Sequence, residues 1–227
     1  RGNMKLVLKD FDGAMADLNK AIKFNERLTG AYLIRGIIFQ SLGSLDEAIS
    51  DFSTVLEYEP ENIDALFQRG VTYELKEQLK PAIEDYNAVL ALDGDNTEVI
   101  ARRARALQII GDIRSALEDL TSLKKISGDS VDLLSNTGSI YFSLGDMEQA
   151  VGEWSKAIAI DPDQASLYAN RGLANSRWGR LEAAAADLEK AIQMGTRTIA
   201  IYSNLGNVYY QKQNYPKAIQ NYNKAIE

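Results

Sequence analysis

A small residue recurs every 34 positions along the whole chain, at Gly2, Gly36, Gly70, Ala104, Gly138, Gly172 and Gly206, with no insertion or deletion between any two. Twelve residues after each of these stands an alanine: Ala14, Ala48, Ala82, Ala116, Ala150, Ala184 and Ala218. Four residues further comes a large apolar side chain: Leu18, Phe52, Tyr86, Leu120, Trp154, Leu188 and Tyr222. A period this strict makes each unit one supersecondary element that buries its apolar face only against its neighbours. The expected architecture is therefore a stacked array with one continuous core.

With the recurring small residue numbered position 8, the units run 1–28 (incomplete), 29–62, 63–96, 97–130, 131–164, 165–198 and 199–227 (incomplete). The truncated outer units suggest a single solenoid, 1–227, cut from a longer protein. Apolar residues at positions 4, 8, 11, 17, 20, 21, 24, 27, 28 and 30 fall three to four apart, which predicts two amphipathic helices per unit. The breaks agree. Gly43, Gly111, Gly145 and Gly179 stand where the first helix must stop, followed by Asp10, Ser44, Asp112, Asp146 and Asn214 as N-caps of the second. Pro81 and Pro216 fall in the first turn of that second helix, Pro60 and Pro162 end it, and Gly94 and Gly128 are expected to end it as left-handed caps. Position 8 and position 20 are small enough to let the two helices approach, and Tyr86 or Trp154 is expected to fill the gap to the next unit.

A helix-turn-helix of this length, with small residues at 8 and 20, an aromatic near 24 and proline at 32, resembles the tetratricopeptide repeat. The resemblance covers the whole chain. It implies an all-α solenoid, a right-handed superhelix of antiparallel helix pairs, in which first helices line a concave groove through positions 2, 5, 6, 9, 12 and 13. Two departures are visible: position 7 is usually arginine, and position 27 varies among Ala, Val and Leu.

Position 7 carries a second pattern. Arg1, Arg35, Arg69, Arg103 and Arg171 occur in the same units as Asp17, Asp51, Asp85, Asp119 and Asp187 at position 23, whereas Thr137 and Leu205 occur with Glu153 and Asn221. Arginine and aspartate come and go together. The covariation predicts a bidentate ion pair joining the two helices of a unit.

Composition narrows the function. There is no cysteine and no histidine, which removes thiolate chemistry, disulfides and the commonest general base and zinc ligand. Walker, GxSxG and HExxH motifs are absent, and the remaining ionisable groups recur with the repeat as structural residues do, so no catalytic residue, cofactor or metal is expected. Asp93-Gly94-Asp95-Asn96 lacks the glycine a calcium loop needs at its sixth position and reads as an inter-unit turn. A formal charge of −7 argues against nucleic acid as a partner. No apolar run is long enough to enter a membrane and no signal segment is visible, which favours a cytoplasmic location.

The groove implied by the resemblance directs the search for a binding site. Position 6 reads Ile34, Gln68, Arg102, Asn136, Asn170 and Asn204. An amide carries both a donor and an acceptor, so a row of asparagines can hold the main chain of an extended peptide whatever its side chains. The row resembles the asparagine ladder of some peptide-binding tetratricopeptide superhelices, and Asn207 and Tyr210 could extend it. Arg102 and Arg105 suit an acidic side chain. Leu33, Ile34, Ile37, Phe67 and Val71 form an apolar stretch, either a groove for an amphipathic segment or a surface for missing upstream repeats. The chaperone-tail carboxylate clamp is not met by any three successive units: the unit of Arg102 has Glu98 where lysine is required. The expectation is a non-catalytic scaffold that binds a protein or peptide partner in its groove. The alternatives are a spacer in a large assembly used through its convex or edge surfaces, and a substrate-recruiting arm of an enzyme. The open ends of a solenoid also permit self-association.

Overall fold

The computed structural model describes residues 11–226, and Arg1 and Asp10 lie outside them. Among the described residues there are thirteen α-helices and no strands. The first unit contributes its second helix, α1 (Phe11–Phe24). The later units each contribute a pair: α2 (Thr29–Ser41) and α3 (Leu45–Tyr58), α4 (Ile63–Leu75) and α5 (Leu79–Leu92), and α6 (Thr97–Ile110) and α7 (Ile113–Ser127). Next come α8 (Val131–Leu144) and α9 (Met147–Ile160), α10 (Ala165–Arg177) and α11 (Leu181–Gln193), and α12 (Ile199–Gln211) and α13 (Tyr215–Ile226). The chain divides into two compact units, residues 1–126 and 127–227. Within them α2, α4, α8, α10 and α12 each pack on the second helix of their own repeat, and α2, α4, α6, α10 and α12 on the second helix of the repeat before.

One turn ends the first helix in every repeat from the second onward. Gly43, Gly111, Gly145 and Gly179, expected from the sequence to stand at the end of the first helix, take positive φ between 79° and 87°. Glu77 and Gln213 hold the same position at φ 58° and 59° without being glycine, a backbone strain of about 1–2 kcal/mol each. The following residue donates back to the carbonyl at position 11, as Ser44 does to Phe39 and Gln78 to Tyr73 at 2.9 and 2.8 Å, which closes a Schellman turn. Asp112, Asp146 and Asn214 then accept from the backbone N–H three residues on; Ser44 is the N-cap of α3 without such a bond. Gly128 is left-handed at φ 78°, but Gly94 is not. Gly94 keeps the kind of backbone that Pro60 and Pro162 impose at the same position, where proline fixes φ near −65°, whereas Gly128 at that position after the longer α7 is left-handed.

The contact that sets the helix pairs lies between positions 8 and 24 of the same repeat. A Cβ on Gly36, Gly70, Gly138 or Gly206 would stand 2.6–2.9 Å from the ring of Phe52, Tyr86, Trp154 or Tyr222, respectively. The large side chain at 24 thus lies against the glycine of its own repeat. Tyr86 also reaches Val99 of the next, within a cluster that includes Leu66, Ala82 and Val89. In the second compact unit, Trp154 lies with Leu134, Ala150, Ala157, Leu167 and Ala174.

The arginine–aspartate covariation is a bidentate pair in four repeats. Arg35 donates through Nε and Nη2 to the two oxygens of Asp51, both at 2.7 Å. Arg69 meets Asp85 and Arg171 meets Asp187, each at 2.9 and 2.7 Å, and Arg103 meets Asp119 at 2.9 and 2.5 Å. Each arginine also donates through Nη1 to a polar side chain on the preceding second helix: Asn19, Ser53, Asn87 or Ser155. The guanidinium therefore ties three helices across two repeats. Its hydrogen bonds to Asp85 hold the Arg69 pKa above the ordinary guanidinium value, against the cost of burial. Burial raises the Asp85 carboxyl and outweighs the arginine's pull downwards. The pair fixes geometry more than it adds net stability.

Two outcomes test these contacts. Gly138→Val drives two methyl groups into the indole of Trp154 and is expected to destabilise by about 1–3 kcal/mol, measured as a lowered urea midpoint with helical circular dichroism retained. Asp187→Ala strands Arg171 and the amide of Asn175, which also donates to Asp187 at 3.2 Å. It should cost about 3–5 kcal/mol, whereas the triple change Arg171→Met, Asp187→Leu and Asn175→Leu, which leaves neither the charge nor the amide unpaired, should recover most of the loss.

Candidate functional site

The asparagines singled out by the sequence all fall in the second compact unit. There α8 adjoins α10, and α10 adjoins α12, so first helices follow one another side by side and their position-6 residues form a row. Asn136 is exposed, and Asn170 and Asn204 are half-buried. Among the described residues the three side-chain amides make no hydrogen bond. Two neighbouring hydroxyls are already committed: Ser139 donates to the carbonyl of Ser135 and Ser143 to that of Ser139, each one turn back in α8. The three amides are thus uncommitted donors and acceptors on this face. Asn207 differs from them, because its Oδ1 accepts from the Tyr222 hydroxyl at 2.8 Å. Tyr210 is exposed and meets Tyr215 edge-on with centroids 5.8 Å apart.

In the first compact unit the expected site residues behave differently. Arg102 donates to Glu98 and to Glu74, both at 3.2 Å, and its guanidinium lies over the Phe67 ring at 5.6 Å. Burial opposes its charge, and the two carboxylates more than offset that and raise its pKa. Glu74 also accepts from the fully buried Tyr86 hydroxyl at 2.8 Å; burial first, and this carboxylate second, push that hydroxyl well above its ordinary value. Arg102 therefore serves an internal network. Arg105 is exposed and makes no ion pair among the described residues. The carbonyl of Gln68 accepts from Gln40 across the α2–α4 seam at 3.3 Å. Leu33, Ile34, Ile37, Phe67 and Val71 are half-buried. Ile34 packs on the Ala14–Ile38 cluster, and Phe67 and Val71 pack on the Tyr86 cluster.

Two features have no counterpart in the sequence reading. The first is Arg177, whose guanidinium carbon lies 4.2 Å from the centroid of the Phe142 ring on the neighbouring first helix. Its signal was available as the lone basic residue at position 13. The second is a cavity of about 390 Å³ lined by Glu189, Tyr202, Leu205, Tyr209, Lys217 and Asn221, among others. It occupies the cleft that an arginine enters in other repeats; beside Arg103 the corresponding space is about 300 Å³. Leu205 leaves Glu189 without that arginine, and Glu189 accepts instead from Tyr209, whose hydroxyl in turn accepts from Lys217 at 3.1 Å. Burial and Glu189 raise the Tyr209 pKa, and Tyr209 raises that of Lys217.

Carboxylate-rich sequence at 93–96 does turn chemistry: Asn96 accepts from the Val99 N–H as the cap of α6 and donates to Asp93. Among the described residues no three His, Cys, Asp or Glu side chains converge as metal ligands. No helix among them is long and apolar enough to cross a membrane.

Sequence models of the tetratricopeptide repeat match residues 35–97, 165–194 and 199–227, and a TPR repeat model matches 138–177, together about two thirds of the chain. No curated protein sequence matches it. Solved structures agree on the fold. The C-terminal part of a TPR repeat-containing protein from Cytophaga hutchinsonii superposes with a TM-score of 0.80 at 16% identity, covering 99% of this chain and 93% of that one. A tetratricopeptide repeat protein from Parabacteroides merdae gives 0.67 at 20% identity, covering 98% and 88%. MamA gives 0.66 at 25% identity, covering 69% and 92%. These helix pairs define an all-α solenoid of the class that serves as protein-interaction scaffolds. The chain belongs to the tetratricopeptide repeat superfamily.

Proposed function

We propose that the chain is a non-catalytic scaffold that holds an extended segment of a protein partner on the first-helix face of its second compact unit, with Asn136, Asn170 and Asn204 bonding main-chain N–H and C=O groups. The observation that carries this reading is the row of three amides on adjoining helices, free of hydrogen bonds among the described residues, with Ser139 and Ser143 beside Asn136 spent on their own helix. A main chain laid across them finds a donor and an acceptor at each rung. A solenoid places such rungs at a regular rise, which suits the regular rise of an extended peptide. Asn207 is held by Tyr222 and flanks the track instead of forming a rung.

The test uses a fluorescein-labelled pool of N-acetylated, C-amidated nonapeptides with Ala, Ser, Thr and Gln mixed at every position, titrated with the protein in fluorescence anisotropy. The triple change of Asn136, Asn170 and Asn204 to alanine should weaken binding about tenfold or more, given about 0.5–1.5 kcal/mol per hydrogen bond, with unchanged far-UV circular dichroism. Equal affinity of the two proteins would exclude the amide row as the site.

A further inference from the structure

Arg177 is the one cation among the groove positions of α8, α10 and α12, where Asp132 is the one carboxylate. It is the last residue of α10, is exposed, and makes no hydrogen bond or ion pair among the described residues. Its guanidinium rests on the ring of Phe142, which itself meets Trp154 with centroids 6.0 Å apart. An arginine lying on an aromatic face loses little further freedom on pairing and keeps its edge donors for a planar anion. Seven residues separate it from Asn170, two turns of one helix face and about 10 Å along the axis. An extended arginine and an acidic side chain reaching towards each other close that gap.

We infer that the segment held by the amide row carries an aspartate or glutamate where it crosses α10, and that Arg177, steadied by Phe142, receives that carboxylate. The inference rests on the amide-row reading above. It specifies a side chain and not a chain terminus, because Arg177 flanks the middle rung: a main chain crossing Asn136, Asn170 and Asn204 has its ends beyond the outer two. Arg102, whose charge is met by Glu74 and Glu98, lies in the other compact unit and takes no part.

The experiment compares three versions of the acetylated, amidated nonapeptide pool, with Glu, Gln or Lys fixed at the central residue. Wild-type protein should bind the Glu pool about threefold to tenfold more tightly than the Lys pool, the scale of one partly exposed ion pair together with the avoided repulsion. The preference should shrink as salt is raised. Arg177→Glu should reverse it while leaving the Gln pool within about twofold of wild type, since that pool engages the amide row alone. The triple asparagine variant should weaken all three pools alike. Equal binding of the Glu and Lys pools, still lost in the triple variant, overturns the role of Arg177 and leaves the amide row standing. A Glu preference that survives Arg177→Glu overturns it as well. Absence of binding, or binding that the triple variant retains, overturns both.

Discussion

Everything in this chain depends on how closely its helix pairs approach where position 8 meets position 24. Glycine at 8 lets Phe52, Tyr86, Trp154 or Tyr222 lie directly against the first-helix backbone, with no room for a methyl group between. That contact fixes the rotation of the first helix about its axis. Once it is fixed, the residue just before the glycine points between two second helices and the residue before that points away from them. The first of these directions is structural and the second is where recognition can happen.

The structural direction is taken by arginine in four described repeats, and its reach explains why it is arginine. Five donors in a rigid fork let one side chain satisfy both oxygens of a buried aspartate and still bond the preceding second helix. Where the pattern lapses, other chemistry takes over. Thr137 turns inward and donates to the carbonyl of Leu133, while Glu153 pairs with Lys156. At Leu205 the cleft stays open, and Tyr209 links Glu189 to Lys217. The recognition direction shows a matching division of labour. Arg102 is absorbed by its own neighbours, whereas Asn136, Asn170 and Asn204 are left with bonding capacity to offer.

Much of this was legible in the sequence because a repeat is its own alignment. The 34-residue period located the helix pairs, the glycines at 43, 111, 145 and 179 located the ends of the first helices, and the joint loss of Arg and Asp at two repeats located the ion pair. What escaped was whatever depends on distance between side chains from different repeats. The third contact of each arginine was hidden because its partner is serine in one repeat and asparagine in another. The engagement of Arg102 by Glu74 and of Asn207 by Tyr222 was hidden because those residues do not recur. Gly94 was misread because glycine is as compatible with a proline-like backbone as with a left-handed one. The site reading fared differently from the fold reading for the same reason: binding residues vary from repeat to repeat, and the internal alignment that exposes the scaffold is silent about them.

The central claim is that three amides act together as one track. Side-chain 1H–15N resonances of Asn136, Asn170 and Asn204, assigned by single substitution, report on it directly during titration with the acetylated, amidated peptide pool. The account predicts that all three shift together and saturate at one common concentration, while the side-chain resonance of Asn221, buried between helices, stays in place. Shifts that cluster on second-helix residues, or three asparagine resonances that remain still while the pool binds, would contradict it.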